Sequence, residues 1–197
     1  MTPQETPKDG ELLRSYQRYL ARAVGGSALR NQGAPDMVKT ARGYLETVDL
    51  KALADCNQDQ YMAVLDQMTD ELANRFPDGG QGNWGAARKA TNIFLFACCR
   101  ELVFSRAYGL DRLKTYLEMP LDSYAIKYLR NKARSANEKT ALDDWTAIRT
   151  LTKPLSDRIQ EFAAAVARRE GCFRCELDLI AWTERNADKG NNLKGSS

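Results

Sequence analysis

Residues 76–83, Phe76-Pro77-Asp78-Gly79-Gly80-Gln81-Gly82-Asn83, interrupt the chain abruptly. Proline withholds a backbone donor and glycine tolerates left-handed backbone, so a run of this kind is a loop. On both sides of it the apolar residues recur at helical spacing. Before it, Tyr61, Val64, Leu65, Met68 and Leu72 mark one face of a helix that Asn57 or Asp59 would cap and that runs to about Arg75. After it, Trp84 or Gly85 opens a long apolar helix reaching roughly Tyr108, where Gly109 stops it. A helix, a glycine-bearing hairpin and a second helix form the element that any fold of this chain has to accommodate.

The remaining segments also read as helix. Glu11 to Val24 carries Leu12, Leu13, Tyr16, Tyr19, Leu20 and Ala23 and ends at Gly25-Gly26-Ser27. Pro35 to Val48 and Leu50 to Cys56 follow, then a short helix from Leu110 to Leu117 before Met119-Pro120. Leu121 to Arg134, Ala141 to Thr150, Pro154 to Glu170 and Cys172 to Asn186 complete the pattern, with a polar stretch at Ser135 to Thr140. No repeat and no series of strands interrupts them, so the expected fold class is all-α. The 197 residues suffice for one domain with a real core. The expected organisation is a disordered N-terminus over 1–10, a single helical domain over 11–186 and a disordered polar tail over 187–197. Trp145 and Trp182 fall on apolar helical positions and are expected in the core.

Composition narrows the chemistry. The chain has no histidine, which removes Ser-His and Cys-His dyads and histidine-ligated zinc. Five cysteines without framework spacing read as reduced thiols, and the lone Cys172-Phe173-Arg174-Cys175 pair is a poor metal signal, so no metal and no cofactor are expected. The longest apolar run, Ile93 to Cys99, is far short of a membrane span, and the N-terminus has no secretory pattern. A cytoplasmic protein and a monomer are expected, with no membrane partner. The net charge of +3 is mild, but the basic residues gather in Lys127-Tyr-Leu-Arg130-Asn-Lys132-Ala-Arg134, which suits a polyanion or a solvated helix face equally.

Two segments carry candidate chemistry. In Gly82-Asn83-Trp84-Gly85-Ala86-Ala87-Arg88-Lys89, a hairpin feeds a helix start whose amides suit a phosphate, so Gly82, Asn83, Gly85 and Arg88 are candidate phosphate contacts. Apolar residues follow Lys89, and desolvation there favours a neutral, nucleophilic amine. In Met119-Pro120-Leu121-Asp122-Ser123-Tyr124, Asp122 or Ser123 stands where an N-cap would, and capping fixes a carboxylate. Trp84 and Tyr124 are candidate base-pocket residues.

Together, Arg88-Lys89-Ala90-Thr91-Asn92-Ile93-Phe94-Leu95 and Pro120-Leu121-Asp122-Ser123 resemble the core of the helix-hairpin-helix DNA glycosylase superfamily, over about a quarter of the chain. The resemblance implies a helical glycosylase-like domain, DNA as partner, Lys89 in the place of the nucleophilic lysine and Asp122 in that of the catalytic aspartate. Three departures stand out. Ala87 replaces a second hairpin glycine, the interval from Lys89 to Asp122 is a long 33 residues, and no four-cysteine pattern for an iron–sulfur cluster occurs. The Trp84–Leu95 and Pro120–Ser123 stretches look like those of short phage proteins that hypermodify thymine, which would place the chain in a host cytoplasm.

The resemblance implies base flipping followed by one of two reactions. In the first, an activated 5-hydroxymethyluracil loses pyrophosphate to an incoming amino acid or polyamine nitrogen, with Lys89 and Arg88 facing the departing anion. In the second, Lys89 attacks C1′ and the base is excised. A helix-hairpin-helix module that only grips DNA is the third expectation.

Overall fold

The computed structural model describes residues 7–184, and every regular element among them is helical. The fold class is all-α. In chain order, α1 (Pro7–Ala21), α2 (Met37–Leu45), α3 (Leu50–Ala54), α4 (Gln58–Arg75), α5 (Trp84–Arg100) and α6 (Leu102–Tyr108) precede a 3-10 turn at Leu110–Thr115. Then come α7 (Ser123–Lys132), α8 (Ala136–Thr140), a 3-10 turn at Ile148–Thr150, α9 (Lys153–Glu170), a 3-10 turn at Arg174–Glu176 and α10 (177–184). Where a single domain over 11–186 is expected from sequence, these elements gather into two compact units, the first ending at Tyr116 and the second beginning at Leu117. The expected disorder over 1–10 gives way to helix from Pro7. The tail 187–197 lies outside the described residues.

In the first unit α5 is the central rod. It packs against α1, α2, α4, α6 and the 110–115 turn. Twelve of its seventeen residues are buried, on all sides rather than along one stripe, which is what a helix surrounded by others requires. Its partner across the hairpin, α4, contributes Tyr61, Leu65 and Leu72, all without exposed surface. Asn57, not Asp59, caps α4: its side chain accepts from the Gln60 amide at 3.0 Å, and the Gln60 side chain accepts from the Asn57 amide at 2.9 Å. The long helix expected to reach Tyr108 breaks at Glu101, whose extended backbone separates α5 from α6. Gly109, at φ +67°, ends α6 as its sequence position implies.

In the second unit α7 and the 174–176 turn pack on α9, around Leu129, Ile159, Ala163, Val166 and Leu177. The helix expected over Ala141 to Thr150 is absent. Leu142 and Trp145 are both buried, but they reach the core from successive turns, with the Leu142 amide donating to Lys139 and the Trp145 amide to Leu142. The polar stretch after Arg134 instead forms α8, capped by Ser135. Trp145 is a core residue as expected, whereas Trp182 is 60% exposed. On α10 the buried positions are Leu177 and Ala181, one turn apart. The next residue along, Trp182, is rotated by about 100° and faces outward.

Candidate active site

The hairpin between α4 and α5 is built by its glycines and by one asparagine. Gly79 and Gly82 have φ of +84° and +74°, a region that favours glycine, and a Cβ at either would meet open space. The requirement at both is therefore backbone conformation, not crowding. Crowding occurs one layer away, where a Cβ on Gly33 would lie 2.5 Å from the Gly79 carbonyl oxygen. The loop before α2 and the hairpin are thus in direct backbone contact. Asn83 ties them together. Its side-chain oxygen accepts from the Ala86 amide at 3.0 Å, capping α5, while its side-chain nitrogen donates to the Gln32 carbonyl at 2.8 Å.

These contacts revise the expected phosphate site. Asn83 is buried and both ends of its amide are committed, so it is a structural cap rather than a phosphate ligand. The amides of Gly82, Asn83, Trp84 and Ala87 donate within the hairpin, to Ala73, Gly80, Gly82 and Asn83 respectively. Gly82 remains on the surface, and Gly85 is buried in the first turn of α5. Ala87 is fully buried. Its methyl lies in the core and adds nothing to the outer surface of the hairpin.

Arg88 likewise turns inward. It is 1% exposed, the largest of the fully buried side chains, and its Nη1 donates to Asp66 Oδ1 at 2.8 Å and to Thr69 Oγ1 at 3.2 Å. Its guanidinium also lies over the Trp84 ring, 5.2 Å from the centroid. Trp84, the candidate stacking residue, is half-buried with Arg88 on one face. Arg88 therefore locks α5 to α4 across the hairpin. Lys89, the next residue, is 7% exposed. A lysine this buried on a central helix is uncommon, because its ammonium normally stays in water.

Asp122 belongs to the second unit, at the start of α7. Its Oδ1 accepts from the amides of Tyr124 and Ala125, both at 2.9 Å, so it is an N-cap as the sequence implies. The segment leading to it is clamped. The Gln160 side chain donates to the Met119 carbonyl at 2.7 Å and accepts from the Met119 amide at 3.1 Å, both buried. Arg174 Nε donates to the Leu117 carbonyl at 3.1 Å. Tyr124, the other candidate pocket residue, is 47% exposed. The residues that hold the candidates in place, Asp66, Thr69, Gln160 and Arg174, carry no local signal in sequence. Their partners lie 19 to 57 positions away.

The basic run from Lys127 to Arg134 is interlaced with acids. Lys132 pairs with Glu170 at 3.2 Å and Glu184 at 3.6 Å. Desolvation pulls its ammonium down, but the Glu170 hydrogen bond and the nearby carboxylates outweigh this and hold it above the usual lysine range. Glu138 binds both the Arg134 amide and Arg169, which keeps its carboxyl below the usual range, the Arg134 amide contributing most. Lys127 and Arg130 remain exposed. Among the described residues no group of three or more Cys, Asp or Glu is arranged to hold a metal ion. Comparison of the chain with protein-family models, with curated proteins and with solved structures returned no match.

Proposed function

We propose that this protein is an enzyme acting on a modified pyrimidine in DNA, with Lys89 and Asp122 as its catalytic residues. The observation that carries the reading is Lys89 itself: a nearly fully buried lysine on the helix that follows a glycine hairpin, locked by the neighbouring Arg88–Asp66 pair. A lysine this buried is uncommon, and this one stands within a residue pattern for base chemistry. Asp122 supplies a carboxylate whose direction is fixed by two amides.

In the preferred reaction the flipped base carries an activating pyrophosphate on its exocyclic methylene. The nitrogen of an amino acid or polyamine forms a bond to that carbon, the C–O bond breaks, and pyrophosphate leaves with the electron pair. The new C–N ammonium gives a proton to Asp122. Lys89 stands as the cation toward the leaving group, without Arg88, which is committed to Asp66. The long interval between Lys89 and Asp122 and the replaced hairpin glycine favour this over repair-type excision. Excision is the second reading, in keeping with the place of Lys89 in the glycosylase-like pattern. There Lys89 Nζ attacks C1′, the glycosidic bond breaks, and a Schiff base follows.

Borohydride trapping separates the two. Duplex oligonucleotides carrying thymine, 5-hydroxymethyluracil or its pyrophosphorylated form are incubated with wild type and Lys89→Ala, with and without amines. A mass gain on the activated base that needs added amine and disappears in Lys89→Ala supports transfer. A trapped adduct lost in Lys89→Ala supports excision and sinks transfer. Inertness on every substrate refutes both and leaves a DNA-gripping module. Asp122→Asn keeps the cap and Asp122→Ala removes it at about 1 kcal/mol of stability. If Asp122 acts chemically, both lose activity while only the second loses stability.

A further inference from the structure

A concavity lies in the first unit, and its lining includes no residue of α5 or α7. It is a cleft of about 280 Å³ between α2, the α3 segment and α4. Drug-sized pockets span about 300–1,000 Å³, so this one has room for a small molecule only. Its walls are apolar where Val48, Leu53, Val64 and Met68 meet. Along α4 the lining residues Val64, Met68, Glu71 and Arg75 follow one another at helical spacing, so the cleft is elongated. Its polar end is Glu71.

Glu71 is held in place and still accessible. Its Oε2 accepts from the Tyr44 hydroxyl at 3.0 Å and its Oε1 from the Gln67 side chain at 2.9 Å. An ionised carboxylate offers about four acceptor positions, so these two donors leave it capacity. Its side chain is 41% exposed. Hydrogen bonds from Gln67 and Tyr44 hold the carboxyl below its ordinary range, so it is charged at neutral pH. Arg75 pairs with it only loosely. The guanidinium lies over the Tyr44 ring at 4.6 Å from the centroid, and its nearest approach to Glu71 is 3.8 Å, longer than a charge-assisted hydrogen bond of about 2.7–2.9 Å. Asp49 adds a second carboxylate to the lining. Asp49 also caps α3, its Oδ1 accepting from the Ala52 amide at 2.9 Å, so the lining carries two carboxylates against one guanidinium.

We propose that this cleft is a binding site for a small aliphatic amine, its ammonium on the Glu71 carboxylate and its hydrocarbon stem along Val48, Leu53 and Met68. The geometry selects against the matched carboxylic acid, which would meet Glu71 and Asp49 with like charge. The site is independent of the chemistry assigned to Lys89 and Asp122, and either can fail without the other.

Cys56 also lines the cleft and, with Cys172, is one of the two cysteines in the chain that are not buried. It therefore reports occupancy. The test uses the full chain carrying Cys172→Ser, with n-pentylamine, n-pentanol and pentanoate as probes, read by calorimetry and by the rate of maleimide modification of Cys56. Pentylamine is expected to bind and to slow modification, pentanoate to do neither, and Glu71→Gln to weaken amine binding by at least about tenfold, the loss of one charge-assisted contact. Glu71→Gln keeps an acceptor for Tyr44, and its unfolding midpoint is measured alongside. Ala52→Phe, a substitution at an exposed lining position, fills the cleft without entering the core and should abolish protection. Absence of amine binding, equal binding of pentanoate, or undiminished binding in both variants overturns the proposal.

Discussion

Replacing Asp66 by alanine removes the carboxylate that faces Arg88, a charge buried deep in the first unit. Deleting one member of a buried ion pair costs about 3–5 kcal/mol, because the other charge stays in a medium that solvates it poorly. Here the side chain of Asp66 is 26% exposed and that of Arg88 only 2%. Water admitted where the carboxylate stood, together with Thr69 at 3.2 Å, lowers the cost to about 2–3 kcal/mol. The reverse deletion is cheaper. Arg88→Met keeps the buried stem and leaves Asp66, which already touches solvent, to hydrate, for about 1–2 kcal/mol. The double variant should then be less unstable than the sum of the two, since neither charge remains. The assay is urea unfolding followed by Trp84 fluorescence in a Trp145→Phe, Trp182→Phe background, so that the signal comes from the unit containing the pair. A chain of two compact units is not obliged to unfold in a single transition, and the local probe avoids averaging them. An Asp66→Ala cost below about 1 kcal/mol, or an Arg88→Met cost larger than that of Asp66→Ala, refutes the assignment of Arg88 to a desolvated interior pair.

Gly33→Ala should destabilise by more than about 2 kcal/mol, since the new methyl would meet the Gly79 carbonyl at 2.5 Å with φ at +147°; Gly43→Ala, inside α2 with nothing within 4 Å of the added carbon, should stabilise by about 0.5–1 kcal/mol. Chemical denaturation of both distinguishes a site that needs glycine from one that tolerates it. Glu71 titrates below its ordinary value of 4.5 in the folded protein. Its contribution to stability is therefore present above that value and lost as pH falls through the lower, folded one; carbon-detected NMR should show the midpoint rising in Gln67→Ala and Tyr44→Phe. With a thiol reagent at neutral pH, Cys56 should react first and Cys172 more slowly, its thiol pushed up by desolvation. Buried Cys98, whose thiol is pushed up much further, stays silent until the protein unfolds.

Sequence patterns located most helices and failed where a contact at long range decided the outcome. Asn57 and Asp122 could be read as caps because a cap acts on residues within three or four positions of itself. The α4–hairpin–α5 unit was legible because its breaker residues and the periodicity on either side are local. The break at Glu101 was hidden, since neither glycine nor proline marks it and apolar residues continue on both sides. Leu142 and Trp145, three apart, imitate a helix face but are buried by successive turns. The site candidates divide in the same way. Lys89 was picked out from its apolar surroundings and is buried. The position of Arg88 and Asn83 at a helix start suggests phosphate, while their partners in the structure include Asp66 and the Gln32 carbonyl, 22 and 51 residues away. No pattern within a helix start announces such partners.

The Gln160 clamp sets limits on how this chain can drift. A side-chain amide that gives a hydrogen to the Met119 carbonyl and takes one from the Met119 amide recognises a residue by its backbone alone. Any buried residue with an N–H can stand at position 119, but proline cannot. Glutamate at 160 would also fail, because a carboxylate has no hydrogen to donate. The clamp reads position as well as chemistry. A slip of the segment by one residue would offer it Pro120, which has no amide hydrogen, so the strand of chain that delivers Asp122 can be seated in only one of those two registers.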